Sequence, residues 1–298
     1  MAKPPLISIG MPAYNAAATI GSAVESLLAQ SFGDFELIVS DNASTDATRD
    51  VVEEYRARDA RIHYERQPFN IGANLNYSHV VHRARGELFK WSSSSDWCEP
   101  TFLERCKDEL LAYEDTVLVA PRTRLFQGAR SAWQDYAYDI EVLDDAPSAR
   151  FARLYSTLGL NNAINGLIRI SALRRTRLVE PYRGADVVLM GHLALLGKFR
   201  LLQEPLFYRR MEAATATAMQ DPAAVLRHHY PQLSARVLFQ GCRRQVGRAR
   251  AALAAPMPIG ERLRSLRYVA RTWYWERNAL MEDLRGAWCY FTAEPGAH

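Results

Sequence analysis

Cysteine is scarce in this chain. Its four cysteines (Cys98, Cys106, Cys242 and Cys289) show neither pairing nor metal-ligand spacing. That excludes a disulfide framework and suits a reducing cytoplasm. Long apolar runs are missing too, and none approaches the roughly 18 residues of a membrane span. The opening Met1-Ala2-Lys3-Pro4-Pro5 leads directly into a strand pattern, without the apolar region and cleavage site of a signal peptide. Export by that route is not expected, and a cytoplasmic location is. There is no internal repeat and no long low-complexity segment. Acidic charge runs short toward the C-terminus. Residues 221–298 carry twelve Arg and six Asp or Glu, hence +6, which leaves −2 for the other 220 residues of a chain whose net charge is +4. The positive charge therefore belongs to the tail. No recognition motif accompanies it, so nucleic acid is not an expected partner.

What is present is apolar material in short, punctuated runs. At 48% hydrophobic residues a sizeable core is available, and 298 residues suit one large α/β domain with an appendage, or two small domains. Leu6 to Pro12 predicts a buried strand, broken by Ala13-Tyr14-Asn15. Ile20, Val24, Leu27 and Leu28 predict a helix within 16–30. Phe35 to Ser40 predicts a second strand, ending in Asp41-Asn42-Ala43-Ser44-Thr45-Asp46. Ser44 or Thr45 is placed to cap the helix that continues through Val51, Val52 and Tyr55. Ile62 to Glu65 is a third strand, and Asn70-Ile71-Gly72-Ala73-Asn74 turns into a helix through Val80, Val81 and Ala84. A helix from Thr101 to Tyr113 and a strand from Thr116 to Phe126 follow. Strand–helix alternation with short connections argues for a parallel sheet with helices on both faces.

Later segments continue the alternation. A helix is expected over 144–158, a strand over Ala163 to Ile170, and a helix from Ala185 stopping at Gly197, a C′ glycine. A strand over Phe199 to Tyr208 runs into Arg209-Arg210. Residues 225–254 and 259–291 read as helical, with arginine and aromatic residues interleaved and Pro256-Met257-Pro258 between them. The expected division is 1–215 for an α/β domain and 216–298 for a basic, aromatic-rich helical extension.

The chain is organised around residues 86–100, Gly-Glu-Leu-Phe-Lys-Trp-Ser-Ser-Ser-Ser-Asp-Trp-Cys-Glu-Pro. An apolar run enters it, four serines and Asp96 follow, and Pro100 opens a helix. By itself this is equally a serine-rich turn. Each preceding strand also ends in a polar cluster, Tyr14-Asn15 and then Asp41-Asn42. In a parallel sheet such clusters fall along one edge, where α/β proteins bind ligands.

Pro12-Ala13-Tyr14-Asn15, then Ser40 to Asp46, then Asn70-Ile71-Gly72, then Ala84-Arg85-Gly86-Glu87-Leu88 before the serines, resemble the inverting family 2 glycosyltransferases of the GT-A fold. Order and spacing both fit, over roughly residues 5–210. The resemblance implies a Rossmann-like, mostly parallel sheet with flanking helices, here with a C-terminal helical extension. It implies a hexosyl- or deoxyhexosyl-type transfer with inversion, from a nucleotide-diphosphate sugar to a saccharide or lipid-linked saccharide, in cell-surface polysaccharide synthesis. It implies that Pro12, Ala13, Tyr14 and Asn15 hold the base, with Tyr14 stacking on it, and that Asp41 accepts a hydrogen bond from it. Arg66, Gly72 and Asn74 would flank base and ribose, with Ser94 and Ser95 also on the nucleotide. Asp186 would be the general base. Asn165 and Gly166 would lie near the acceptor, and Arg209 and Arg210 near the diphosphate. The plainer alternatives are a core-edge aromatic for Tyr14, a helix cap for Asp41 or Asp186, and a solvated pair for Arg209 and Arg210.

The chain departs from the family at its metal motif. Relatives carry Asp-x-Asp, often Asp-x-Asp-Asp, before a Pro-led helix. Counting back from Pro100, Asp96 falls on the last carboxylate, and Ser93 and Ser95 replace the others. Mg²⁺ and Mn²⁺ prefer anionic oxygens. Three readings follow: Asp96 as sole protein ligand of the divalent cation, basic side chains in place of metal, or lost activity. The last makes the chain a non-catalytic sugar-nucleotide or glycan-binding protein. A sugar-nucleotide pyrophosphorylase would want a Gly-rich basic loop after the first strand, and Pro12-Ala13-Tyr14-Asn15-Ala16 offers none. The tail fits three roles: lying on the anionic inner face of the cell membrane, packing back on the α/β domain, or forming a homodimer contact.

Overall fold

Strands with apolar residues on both faces need helices on both sides, and the chain supplies them in alternation. The protein is described by a computed structural model covering residues 3–128, 132–211 and 239–292, with side chains to residue 285. The order is β1 (Ile7–Ala13), α1 (Ile20–Leu28), β2 (Phe35–Asp41), α2 (Thr48–Arg56), β3 (Ile62–Arg66), α3 (Ala73–Arg83), β4 (Leu88–Trp91), β5 (Trp97–Cys98), α4 (Phe102–Ala112), β6 (Thr116–Phe126) and β7 (Trp133–Asp135). Then come α5 (Pro147–Thr157), a 3₁₀ turn (Asn162–Asn165), β8 (Leu167–Arg169), α6 (Ile170–Leu173), α7 (Ala185–Leu196) and β9 (Lys198–Arg210). Three helices close the described chain: α8 (Gln240–Ala254), α9 (Ile259–Trp275) and α10 (Arg277–Thr292).

The sheet runs β3-β2-β1-β4-β8-β6-β9-β5, with β7 paired to β6. Strands β1 to β4 are mutually parallel, as expected, and β6 pairs parallel with β9. The short strands β5, β7 and β8 run antiparallel to their neighbours. Side chains alternate between two cores. Ile7, Ile9, Met11 and Leu88 meet Ile20, Val24, Leu27, Phe102 and Leu103 on one face. Phe89 and Trp91 meet Val80, Leu154, Leu189 and Leu193 on the other. At roughly 1.5–3 kcal/mol for each fully buried large apolar side chain, these two layers are the main source of stability.

Several local expectations are corrected. Neither Ser44 nor Thr45 caps α2. Asp46 Oδ1 accepts the Thr48 N–H at 3.0 Å, while Ser44 and Thr45 are drawn to the neighbouring loop. The strand expected over 163–170 is a 3₁₀ turn followed by three strand residues, because the backbone of Asn165 is diverted to the ammonium of the buried Lys90. The single helix expected over 259–291 breaks at Glu276, whose carboxylate takes Arg244 and Arg248, each at 2.8 Å. Of the helix expected over 225–254, Gln240–Ala254 is helical and residues 225–238 lie outside the described residues.

The tail helices pack back on the domain. Ala251, Ala252, Ala255 and Val269 close on Phe151 of α5 and Leu195 of α7. Alanines let helices approach closely but bury little area each, so polar ties add to the contact. Glu261 Oε2 accepts the Ser148 N–H of the first turn of α5 at 2.9 Å, while within the tail Thr272 donates to Gln245 Oε1 at 2.9 Å and joins α9 to α8. The outer face of α9 leaves Ile259, Leu263 and Tyr274 exposed beside Arg264, Arg267 and Arg271. Among the described residues no helix is long and apolar enough to cross a membrane.

Candidate active site

Parallel register sets the first part of the site. Ala13 lies opposite Asp41, and Asp41 opposite Arg66, so the ends of β1, β2 and β3 share one edge. Asp41 is wholly buried. Its Oδ1 accepts the Ser44 N–H at 2.8 Å, its Oδ2 accepts the Tyr64 hydroxyl at 2.7 Å, and Arg66 Nε lies 3.6 Å away. Burial and the hydrogen bond to Asp41 push the Tyr64 phenol well above its ordinary range. Asn15 takes a positive φ of 48°, which Asn tolerates better than most residues. It is fixed there by Ser44 Oγ on its N–H and by its own Oδ1 on the Thr45 N–H, at 2.9 and 2.8 Å. Tyr14 beside it is 42% exposed, so its ring is available to a ligand.

Gly72 precedes α3 with φ 88°, a conformation that favours glycine. Asn70 Oδ1 accepts the Gly72 N–H, and Asn42 Oδ1 accepts the Ile71 N–H, at 2.9 and 2.8 Å. Arg66 donates to Ser44 O at 2.8 Å. The side-chain amide of Asn74 reaches away from this edge. It donates to the carbonyls of Glu180 and Tyr182, each at 2.9 Å, and ties α3 to the loop before α7.

The second part is assembled across the chain. Ser92 N–H donates to Gly10 O at 2.9 Å, which seats the start of the serine turn alongside the middle of β1. Ser93 and Ser95 hydroxyls lie 3.0 Å apart, and Ser94 is half-buried. β5 then pairs with β9, Trp97 opposite Tyr208, with their rings stacked at 3.6 Å. This pairing brings Asp96 to the arginine pair: Arg210 N–H donates to Asp96 Oδ1 at 2.9 Å, and Arg210 Nε to Ser95 O at 3.3 Å. Burial pushes the Asp96 carboxyl up, against the pull of the Arg210 N–H and the charges of Arg209, Lys90 and Arg210.

Arg209 Nη1 donates to Asn162 Oδ1 at 2.7 Å, and Asn162 in turn donates to Asp139 Oδ1 at 3.0 Å. The neighbouring Asn161 donates to Asp186 Oδ2 at 2.9 Å. Asp186 is half-buried in the first turn of α7, where the helix dipole favours a carboxylate. Tyr77 completes the floor, its phenol pushed to about 12 by burial and by Asp96 and Asp186, against Arg209. Asn165 and Gly166 lie on the same 3₁₀ turn as Asn162 or directly after it. An added Cβ at Gly166 would sit 2.4 Å from Val119 O, so no side chain fits there.

Lys90, Tyr77, Asn161 and Asn162 escape sequence reasoning. One signal was available, a lysine inside the apolar strand Leu88-Phe89-Lys90-Trp91. The donor set does not suit a resident divalent cation. One carboxylate, already hydrogen-bonded, stands with two hydroxyls among three cationic side chains. Among the described residues no cluster of three or more His, Cys, Asp or Glu could hold a metal. A separate cleft of about 460 Å³, between α7, α8 and residues 175–180, contains none of these residues.

A glycosyltransferase of teichuronic acid biosynthesis in Bacillus subtilis, TuaG, is 37% identical over 101 residues, 34% of this chain and 40% of its own length. The glycosyltransferase EpsH of the same organism is 29% identical over 184 residues, 60% of this chain and 52% of its own. The chain thus spans about half or less of these relatives. Among solved structures, S. aureus TarS in complex with UDP has a TM-score of 0.63 at 16% identity, covering 91% of this chain and 73% of that one. A Pyrobaculum calidifontis mannosyltransferase in complex with GDP-Man and Mn²⁺ has a TM-score of 0.51 at 16% identity, covering 96% and 87%. These likenesses establish the GT-A fold. The sequence model described as glycosyl transferase family 2 matches residues 8–178, more than half of the chain, and the chain belongs to that family.

Proposed function

We propose that the chain transfers a hexosyl or deoxyhexosyl group, with inversion, from a nucleotide-diphosphate sugar to a saccharide or lipid-linked saccharide in cell-surface polysaccharide synthesis. The observation that carries this reading is the Asn161-Asn162 pair. One asparagine holds Asp186, and the next holds Arg209 beside Asp96. A candidate base and a candidate diphosphate corner are thereby fixed side by side, as a displacement at an anomeric carbon requires.

In this reading the base rests on the β1–β3 edge, stacked on Tyr14 and recognised near Asp41. The acceptor hydroxyl gives its proton to Asp186 as its oxygen bonds to the anomeric carbon. The bond from that carbon to the diphosphate oxygen breaks on the opposite face, and its electron pair leaves with the nucleoside diphosphate. Asn161 orients the carboxylate. Its Oδ1 is buried without a hydrogen-bond partner among the described residues, an acceptor for a sugar hydroxyl beside the base. TarS with UDP-GlcNAc is a structural neighbour of the same fold, which supports a nucleotide-sugar donor.

The test is nucleotide release from UDP-, GDP- and dTDP-sugars, with and without Mn²⁺ and with saccharide acceptors. Release with one donor class, lost in Asp186→Asn, is expected. Tight nucleotide binding without release from any donor would favour a non-catalytic binder, the reading that the serines at 93 and 95 support. Exposed Ile259, Leu263 and Tyr274 amid arginines support work at an anionic membrane surface. Co-sedimentation with phosphatidylglycerol vesicles, absent with neutral ones, is the expected result.

A further inference from the structure

The cleft of about 460 Å³ between α7, α8 and residues 175–180 is built from apolar side chains and arginines. Val188 and His192 line it one turn apart on α7, and Gly247, Ala251 and Ala254 recur at similar spacing on α8. Small residues at those three positions leave a space. Leu178, Val188, Leu189 and Ala251 form an apolar wall, and Leu253 carries it to the exposed rim. Much of the polar lining is already engaged. Thr176 donates its hydroxyl to Leu173 O at 2.7 Å and accepts the Leu178 N–H at 3.1 Å. Glu180, the carboxylate of the lining, takes Arg177 at 2.8 Å and the Tyr182 hydroxyl at 3.3 Å. Three groups are left over. Arg175, Arg250 and His192 make no side-chain hydrogen bond or ion pair among the described residues. His192 is only 6% exposed. Burial, with the Arg175 charge beside it, holds its imidazole down to about 4, so the ring is neutral near pH 7. A buried polar ring without a partner costs free energy, and folded proteins rarely leave one.

We propose that this cleft binds one anionic phospholipid, with its phosphate on Arg175, Arg250 and the His192 N–H and its acyl part on the wall from Leu178 to Leu253. Guanidinium groups suit a phosphate by charge and by paired N–H donors, and a neutral imidazole adds one more donor. A free phosphate would leave the apolar wall bare. A phosphorylated sugar would bring its hydroxyls to a wall without spare polar groups. The position of the cleft also favours a lipid. The chain leaves the rim at Ala254 and enters α9 at Ile259, where Ile259 and Leu263 are exposed beside Arg264 and Arg267. The mouth thus adjoins the face proposed above to lie on an anionic membrane. This inference deepens that membrane reading by one defined site, and it does not depend on the transfer reaction.

Short-chain lipids test the cleft apart from any bilayer. Dihexanoyl phosphatidylglycerol, dihexanoyl phosphatidylcholine and inorganic phosphate, all kept monomeric, are titrated calorimetrically into the full chain and its Arg175→Gln, Arg250→Gln and Ala254→Trp variants. All three positions are exposed, so the fold is expected to survive each change. The wild type should bind the phosphatidylglycerol at one site. Phosphatidylcholine, without net charge, and phosphate, without an apolar part, should each bind at least about tenfold more weakly. Either arginine variant should weaken phosphatidylglycerol by about fivefold or more, and Ala254→Trp, which fills the mouth, by about tenfold or more. The His192 ring resonances should shift with phosphatidylglycerol. Absent binding, equal affinity for the two lipids or for phosphate and lipid, affinity unchanged in all three variants, or an unmoved His192 ring overturns the site. Leu263→Ser with Tyr274→Ser on α9 should reduce sedimentation with phosphatidylglycerol vesicles yet keep short-chain binding within about twofold, as separate sites do. Vesicle binding that persists while the short-chain lipid fails to bind overturns the cleft and leaves the membrane reading standing. Short-chain binding without vesicle binding supports the cleft and overturns the membrane reading.

Discussion

The proposed base edge and the proposed diphosphate corner are assembled in opposite ways. At the base edge, Asp41 meets Arg66, Tyr64 and the Ser44 N–H within one sheet edge, and the neighbouring loops satisfy one another. At the corner, the side chains come from β4, the serine turn, the 3₁₀ turn, α7 and β9. The first region is locally balanced and built from contiguous motifs. The second is built by tertiary pairing, chiefly of β5 with β9.

The sharpest way to break this comparison is at the acceptor side. Asp186→Asn is expected to lower kcat by about 10²–10⁴-fold, because a general base is removed from the transition state only. Steady-state kinetics check it, and a mutant above half the wild-type rate would put the base elsewhere. At the base edge, Asp41→Asn is expected to weaken nucleotide binding by about tenfold to a hundredfold, the cost of mispairing a buried polar site. Asparagine is preferred to alanine because Tyr64 and the Ser44 N–H need an acceptor there. Equal nucleotide affinity in mutant and wild type would remove Asp41 from the site.

Those two regions also differ in how far the sequence discloses them. The strand ends at Tyr14-Asn15 and Asp41-Asn42 follow from apolar runs stopped by polar residues, and their common edge follows from parallel order. The corner does not. Nothing local says that β9 returns beside β5 to bring Arg210 N–H onto Asp96. Nor could spacing show that Asn74 serves the loop before α7, or that Asp46 rather than Ser44 meets α2. Side chains that act across the fold depend on pairings remote in sequence. Lys90 is the exception, since a charge inside an apolar strand stands out in the sequence by itself.

A smaller effect is expected at Tyr14. Tyr14→Ala should weaken nucleotide binding by about 1–3 kcal/mol, the loss of one base–aromatic stack, with unchanged Tm because the ring is largely exposed. Titration and a thermal melt check both halves. The smallest effect concerns the tail helices, which brace α7 and hence Asp186. The Ser148 hydrogen bonds and Arg264 hold Glu261 down from an ordinary 4.5 to about 2. A depressed carboxylate contributes stability that is fully present above 4.5 and is lost as pH falls toward 2. Amide exchange in α9 should therefore quicken across that window before exchange in β1 and β2 does. Simultaneous loss in both would show that Glu261 does not anchor the helix separately.

The division of the site into a nucleotide half and a transfer half is tested most directly by one calorimetric series. The same nucleoside diphosphate is titrated into wild type, Asp41→Asn and Asp186→Asn. The account predicts that Asp186→Asn binds as the wild type does, within about twofold, while Asp41→Asn binds at least about tenfold more weakly. Equal losses in both variants, or a loss confined to Asp186→Asn, would contradict it.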